Sequence, residues 1–398
     1  MAFEETIERY AIDGAREEFY ASYTGPYDAD FTPYLTEAYL MELNRYLRLD
    51  RETIAKLVSV AARLSENAAL CALAAYARAL LFCAGFSEEQ LQWLRFPHPH
   101  TGDRELDDCF ALLVHLSGFP VVQERYAARG ISDAVLSDTY RSVRIWIEAF
   151  YRFYGRFGHD REPRMVFIEH LRILRLGRLE FERNAFTGAV VGLMHRRTGE
   201  LAAVCEGGVF LRRDGLINGT NDVVDLCAVK TTYTENAAGI TAHRVVPDGH
   251  AALEPAFFPF DEWAVFLRRG YASLNMHIPR DGRLCAADAL AAMEEARAFF
   301  PAHFPETAFT AFECHTWLFE SRLCGLLPED SGIVAFQKLF CRFPECSGDL
   351  GLRYSAFTEA PFDMRSWQPE TRLQRAVIDY YKAGGVLCQC GGFLPFGN

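Results

Sequence analysis

The chain has 398 residues, half of them hydrophobic, with a formal net charge of −12 and 12 cysteines. That length fits roughly two to three domains of about 150 residues each, around a large core. The acidic balance and the lack of a long basic run exclude nucleic acid as the expected partner. The opening Met1-Ala2-Phe3-Glu4-Glu5 has no basic segment ahead of an apolar run, so no signal peptide is expected. The most apolar segment, 68–85, is alanine-rich and interrupted by Arg78, which fits a buried helix rather than a membrane span. No membrane partner is expected, and a cytoplasmic location is.

Residues 1–160 read as an all-helical domain. Asp50 precedes an apolar-periodic run (Ile54, Leu57, Val58, Ala61, Leu64) as an N-cap does. Ser65 is expected to cap the next helix and Gly85 to stop it. Ser87-Glu88-Glu89-Gln90 fits a capping box. Ser132 opens a long aromatic helix through Trp146, Phe150 and Tyr154, closed near Gly155.

Patterning changes near 158–164, and residues 161–398 read as a second domain. Period-two alternation predicts a strand over 165–183 and more strands at 189–195, 201–211, 239–246 and 271–278. A helix is predicted at 286–300. Strand and helix then alternate: 308–315 (strand), 331–342 (helix), 351–358 (strand), 370–383 (helix) and 385–395 (strand). The fold class is α+β.

Residues 271–318 concentrate the candidate chemistry. A strand feeds a helix through Pro279-Arg280-Asp281-Gly282-Arg283, a context in which backbone N–H groups and arginines hold phosphate. An ordinary turn with solvated arginines is the competing reading. Glu313 and His315 fall on one face of the next strand, where either could take a proton from a nucleophile. His277 sits just before the basic loop. Tyr354, Tyr380 and Tyr381 are candidate proton donors in a chain where aromatic packing is common. His98-Pro99-His100, near Asp103, Asp107 and Asp108, has ligand-like spacing but reads as a solvated loop, and no metal is expected. With no C-x-x-C pair, Cys388 and Cys390 read as buried thiols on one face of a strand, and the cysteines as reduced.

The chain resembles bacterial acyltransferase domain-containing proteins that join a helical N-terminal domain to a GNAT-like C-terminal domain. The resemblance is carried by Leu174-Arg175-Leu176-Gly177-Arg178-Leu179-Glu180-Phe181 and by His277-Ile278-Pro279-Arg280-Asp281-Gly282-Arg283-Leu284. It continues in Phe299-Phe300, His303-Phe304-Pro305, Cys314-His315-Thr316-Trp317-Leu318, Ser331-Gly332-Ile333 with Phe336, and Thr371-Arg372-Leu373-Gln374-Arg375-Ala376. Thr316 stands where the family tends to have Ser, and Gly332 where it tends to have Asn.

The resemblance implies a mixed, mostly antiparallel sheet flanked by helices. It also implies acyl-CoA or acetyl-CoA as co-substrate and a small-molecule amine as acceptor. Direct attack of the amine on the thioester needs a base, for which Glu313 and His315 are the candidates, and Tyr354 is a candidate acid. Ile278, Arg280, Gly282, Arg283 and Leu284 would occupy the coenzyme A diphosphate position. The loop has one glycine where the usual GNAT signature has two. A catalytically inactive GNAT-like binding or sensor protein is the alternative. Oligomeric state is not legible.

Overall fold

A computed structural model describes residues 25–91, 98–357 and 368–397. The chain divides into two compact units, Met1–Leu176 and Gly177–Asn398.

In the first unit the described residues form helices α1 (Glu37–Leu47), α2 (Arg51–Ser65), α3 (Ala68–Phe82), α4 (Glu88–Leu91), α5 (Arg104–Ser117), α6 (Phe119–Ala128), α7 (Asp133–Tyr154) and α8 (Glu162–Glu169). A short strand, β1 (Ile173–Leu176), follows. Asp50 caps α2 by accepting from Glu52 N and Thr53 N, as expected. Ser87 and Gln90 form the reciprocal bonds of a capping box. Ser132 caps α7, and Gly155, at φ 69°, closes it. Ser65 does not cap α3. It is the last residue of α2, its hydroxyl turned back to Ala62 O, and Asn67 caps α3 instead. Eleven of the fifteen residues of α3 are buried. Among the described residues no single helix is long and apolar enough to cross a membrane.

The expected strand at 165–183 begins as a helix. Pro163 lies in the first turn of α8, where its missing N–H costs nothing. Met165, Val166, Ile168 and Glu169 are buried and Phe167 is not, the i, i+1, i+3, i+4 spacing of a helix rather than the period of two of a strand. The compact unit extends past 160 because β1 lies along α7, with Arg175 N donating to Thr139 Oγ1 at 2.9 Å.

The described residues of the second unit form two large sheets. The first runs β2 (Leu179–Ala185), β11 (Ala272–His277), β12 (Ala311–Thr316), β14 (Cys390–Pro395) and β13 (Cys341–Pro344), in that order. Its pairings are antiparallel except the parallel β11–β12. The second has the order β10 (Trp263–Leu267), β3 (Val190–His195), β4 (Leu201–Cys205), β8 (Gly239–Val245), β7 (Tyr233–Asn236), with β9 (Ala251–Pro259) also on β8. The pair β5 (Phe210–Leu211) and β6 (Val229–Lys230) stands apart. The described residues of the unit also form helices α9 (Ala286–His303), α10 (Leu323–Leu326), α11 (Gly332–Gln337), α12 (Leu350–Ala356) and α13 (Arg372–Lys382). The expected strand at 351–358 is helix α12. Leu352, Tyr354 and Ala356 alternate like a strand, but Leu352 alone is buried in this helix, so one anchor suffices. The expected α+β architecture stands.

Pleating divides the first sheet chemically. Phe181, Leu274, Met276 and Phe312 are buried on one face, where Phe181 meets Phe300 of α9 at 6.1 Å between ring centres. The opposite face of the same strands carries Glu180, Glu182, Asn184, Ser273, Asn275, His277, Glu313 and His315. Towards β13 and β14 that face turns apolar through Phe343 and Phe393, packed with residues of the second sheet such as Val190, Ala203 and Val245.

Candidate functional site

The polar face is organised around Glu313, whose side chain is fully buried. A buried carboxylate must be paired to persist. Its Oε1 accepts from Ser273 Oγ at 2.6 Å and Asn184 Nδ2 at 3.0 Å. Its Oε2 lies 3.0 Å from His315 Nε2. His315 Nδ1 lies 2.5 Å from Glu345 Oε1. Glu345 follows β13 directly, and its backbone carbonyl accepts from Thr220 Oγ1 at 3.1 Å. Gln389 Nε2 reaches its other carboxylate oxygen at 3.4 Å. The result is a line of carboxylate, imidazole and carboxylate. Its inner end is dry, and its outer two side chains are about one-fifth exposed, at 19% and 20%.

Burial of the His315 ring favours its neutral form, but hydrogen bonds to Glu313 and Glu345 and the charge of both outweigh it. Together they push its pKa up to about 10. His315 is therefore an imidazolium at neutral pH, donating from both nitrogens. Cys314, on the opposite face of β12, is buried, and burial pushes its thiol far up. It has no nucleophilic character.

A second carboxylate–imidazole pair lies on the same face: His277 Nε2 is 2.7 Å from Glu182 Oε2. Parallel pairing joins Ser273–Asn275 to Ala311–Glu313, yet β11 runs on to His277 and β12 to Thr316. Glu313 thus stands at the last paired position, where the strands part.

Beyond His277 the chain enters the basic loop. Pro279 is buried, whereas Arg280, Gly282 and Arg283 are exposed. The loop leads into α9, an eighteen-residue helix whose N-cap, Cys285, makes no side-chain cap bond. Exposed arginines before such a helix start suit an anion. Arg178, just before β2, binds the loop from beneath. Its Nε donates to Arg283 O at 2.9 Å, and its Nη2 to Pro279 O and Gly282 O, each at 2.7 Å.

Glu313 and His315 thus meet in one network, and Ile278, Arg280, Gly282, Arg283 and Leu284 share one strand-to-helix connection. Tyr354 lies instead on α12, 42% exposed, with its carbonyl 3.5 Å from Arg280 Nη1. Sequence reasoning missed Glu345, Glu182, Asn184, Ser273 and Arg178. The alternation Glu180, Glu182, Asn184 held a usable signal, since three polar residues at period two mark a polar strand face. Nothing local marks Glu345.

The other candidates have structural work. Asp103 caps α5, and Asp107 accepts from Thr101. Among the described residues no group of three or more His, Cys, Asp or Glu side chains is placed so as to hold a metal ion. The cysteines are free thiols. Cys388 precedes β14 and its Sγ lies 3.1 Å from the buried Glu320 carboxylate.

Residues 173–394 match the family described as GNAT-like C-terminal domain, and residues 38–164 match that described as N-acyltransferase N-terminal domain. No curated protein matches the chain. Similar solved structures include an acyltransferase in complex with decanoyl-CoA and teicoplanin, with 18% identity, coverage of 100% of both chains and TM-score 0.69. Another is an acyltransferase mutant in complex with octanoyl-CoA, with 17% identity, coverage of 99% of both chains and TM-score 0.69. A third is an acyltransferase in complex with CoA and 10C-teicoplanin, again with 18% identity, full coverage of both chains and TM-score 0.69.

Proposed function

Because the chain belongs to the family of the GNAT-like C-terminal domain, we propose that it transfers an acyl group from acyl-coenzyme A to a small-molecule amine. The observation that carries this reading is the Glu313–His315–Glu345 line, set where β11 and β12 stop pairing. The similar structures that hold octanoyl-CoA, decanoyl-CoA and CoA support the donor.

In this reading the loop from Ile278 to Leu284 and the start of α9 receive the diphosphate, with Arg280 and Arg283 supplying charge. The acyl thioester then lies along the gap between the strands. Four carboxylates (Glu180, Glu182, Glu313, Glu345) share the polar face with two imidazoles (His277, His315), a balance that attracts a cationic acceptor.

The line of two carboxylates around one imidazolium carries a net charge of −1. It takes one proton from the incoming ammonium, and the one-fifth-exposed end at Glu345 is the entry point. The freed amine attacks the thioester carbon, a C–N bond forms and the C–S bond breaks. As the amide forms, Tyr354, the candidate donor, gives its proton to the departing thiolate, and the second nitrogen proton passes back to Tyr354. The proton held by the line returns to water. Acyl-CoA and ammonium thus become amide, CoA thiol and one proton, with no covalent protein intermediate. His315, already charged, steadies the carboxylates rather than acting as the first acceptor.

Isothermal titration with acetyl-, octanoyl- and decanoyl-CoA tests the donor. Saturable heat with at least one of them is expected. No heat and no thermal shift with any of the three would remove this reading.

A further inference from the structure

We infer that Arg178 is a positioning residue for acyl-CoA: from beneath the loop, it turns backbone amides outward to the diphosphate and so stands in for the second glycine that the loop lacks. The inference rests on the acyl-CoA reading above and deepens it.

Three of the loop's carbonyls, those of Pro279, Gly282 and Arg283, point at one guanidinium. In a trans peptide the C=O and the following N–H point in opposite directions. The N–H groups of Arg280, Arg283 and Leu284 must therefore face away from Arg178. Outward amides at a helix start form a concave donor set for anions.

A glycine-rich loop obtains this set through backbone freedom. Here that freedom is not used. Gly282 has no left-handed φ, and a Cβ there would meet Arg178 Nε at 3.7 Å, an ordinary contact. The shape is held by a rigid planar fork reaching across 101 to 105 positions of sequence. A lysine also has three N–H donors, but they share one nitrogen on a flexible stem, so it lacks the two-point fork by which Nε and Nη2 reach these carbonyls.

The test compares two ligands. Octanoyl-CoA carries the diphosphate, and octanoyl-pantetheine does not. Both are titrated into the full chain as wild type, Arg178→Gln and Arg178→Lys, at low and high salt. Arg178→Gln is expected to raise the Kd for octanoyl-CoA by about tenfold or more, and Arg178→Lys by less. The Kd for octanoyl-pantetheine should stay within about twofold. The salt dependence should persist, because Arg178 faces the loop and not the ligand. An unchanged octanoyl-CoA affinity in both variants overturns the inference. Equal weakening of both ligands also overturns it, since that is the mark of a merely structural residue. If Arg178→Gln fails to fold, the lysine variant is read by the same criteria. A wild type that binds no acyl-CoA sinks the underlying acyl-CoA reading itself, a separate result.

Discussion

Glu313 and His315 stand two positions apart on one strand, and His315 Nε2 lies 3.0 Å from Glu313 Oε2. Two residues is the spacing that returns a side chain to the same face. The contact is therefore built by local geometry, and the fold adds Glu345 at the other imidazole nitrogen.

That arrangement makes stability depend on pH. The His315 pKa is raised from 6.5 in the unfolded chain to about 10 in the fold. A raised folded-state value means the stabilisation is complete below about pH 6.5 and is lost as pH climbs towards 10. The contribution is roughly 3–5 kcal/mol. Thermal melts from pH 6 to pH 10 should show wild-type stability falling through this window. His315→Gln should be less stable at pH 6 and show a shallower fall. Parallel curves for the two proteins would refute the assignment.

Gly332 explains one departure from the resembling family. A Cβ at this position would sit 2.1 Å from the carbonyl oxygen of Leu284, so the start of α11 closes onto the end of the basic loop. Gly332→Ala should cost about 1–3 kcal/mol by overpacking. It should lower the melting temperature and weaken octanoyl-CoA binding, since Leu284 must move. An alanine variant with wild-type melting and binding would show that the loop yields freely.

Arg280 and Arg283 are exposed and flank the loop. If they meet a diphosphate, alanine at either should weaken octanoyl-CoA binding by about five- to thirtyfold. The loss should shrink as salt rises, because exposed charges are screened. Binding unchanged in both variants at low salt would place the nucleotide elsewhere.

The legible parts of this protein are those in which chemistry and period coincide. Asp50, Ser87 and Ser132 announced their helices because a cap is a local device. Glu313 and His315 shared a face because alternation is local too. Helix α12 was misread because Leu352, Tyr354 and Ala356 satisfy a period of two, while the fold asks only that Leu352 be buried. The start of α8 carried a readable sign in Pro163, which suits a first turn. Glu345 was invisible for a different reason. It reaches His315 through β13 and β14, two strands whose neighbours in space are distant in sequence. Arg178 was hidden likewise, since its three acceptors lie a hundred residues away.

The most direct test is amine-dependent release of CoA thiol, with the acylated product identified by mass spectrometry, in wild type and in Glu345→Gln. The account predicts turnover of octanoyl- or decanoyl-CoA with a cationic amine by the wild type. It predicts a loss of about 10²–10⁴-fold in kcat for Glu345→Gln, while the acyl-CoA Kd holds. An amide product formed at the wild-type rate by Glu345→Gln would contradict the proposed proton acceptor. Tight acyl-CoA binding by the wild type with no thiol release across a broad set of amines would contradict the transferase itself.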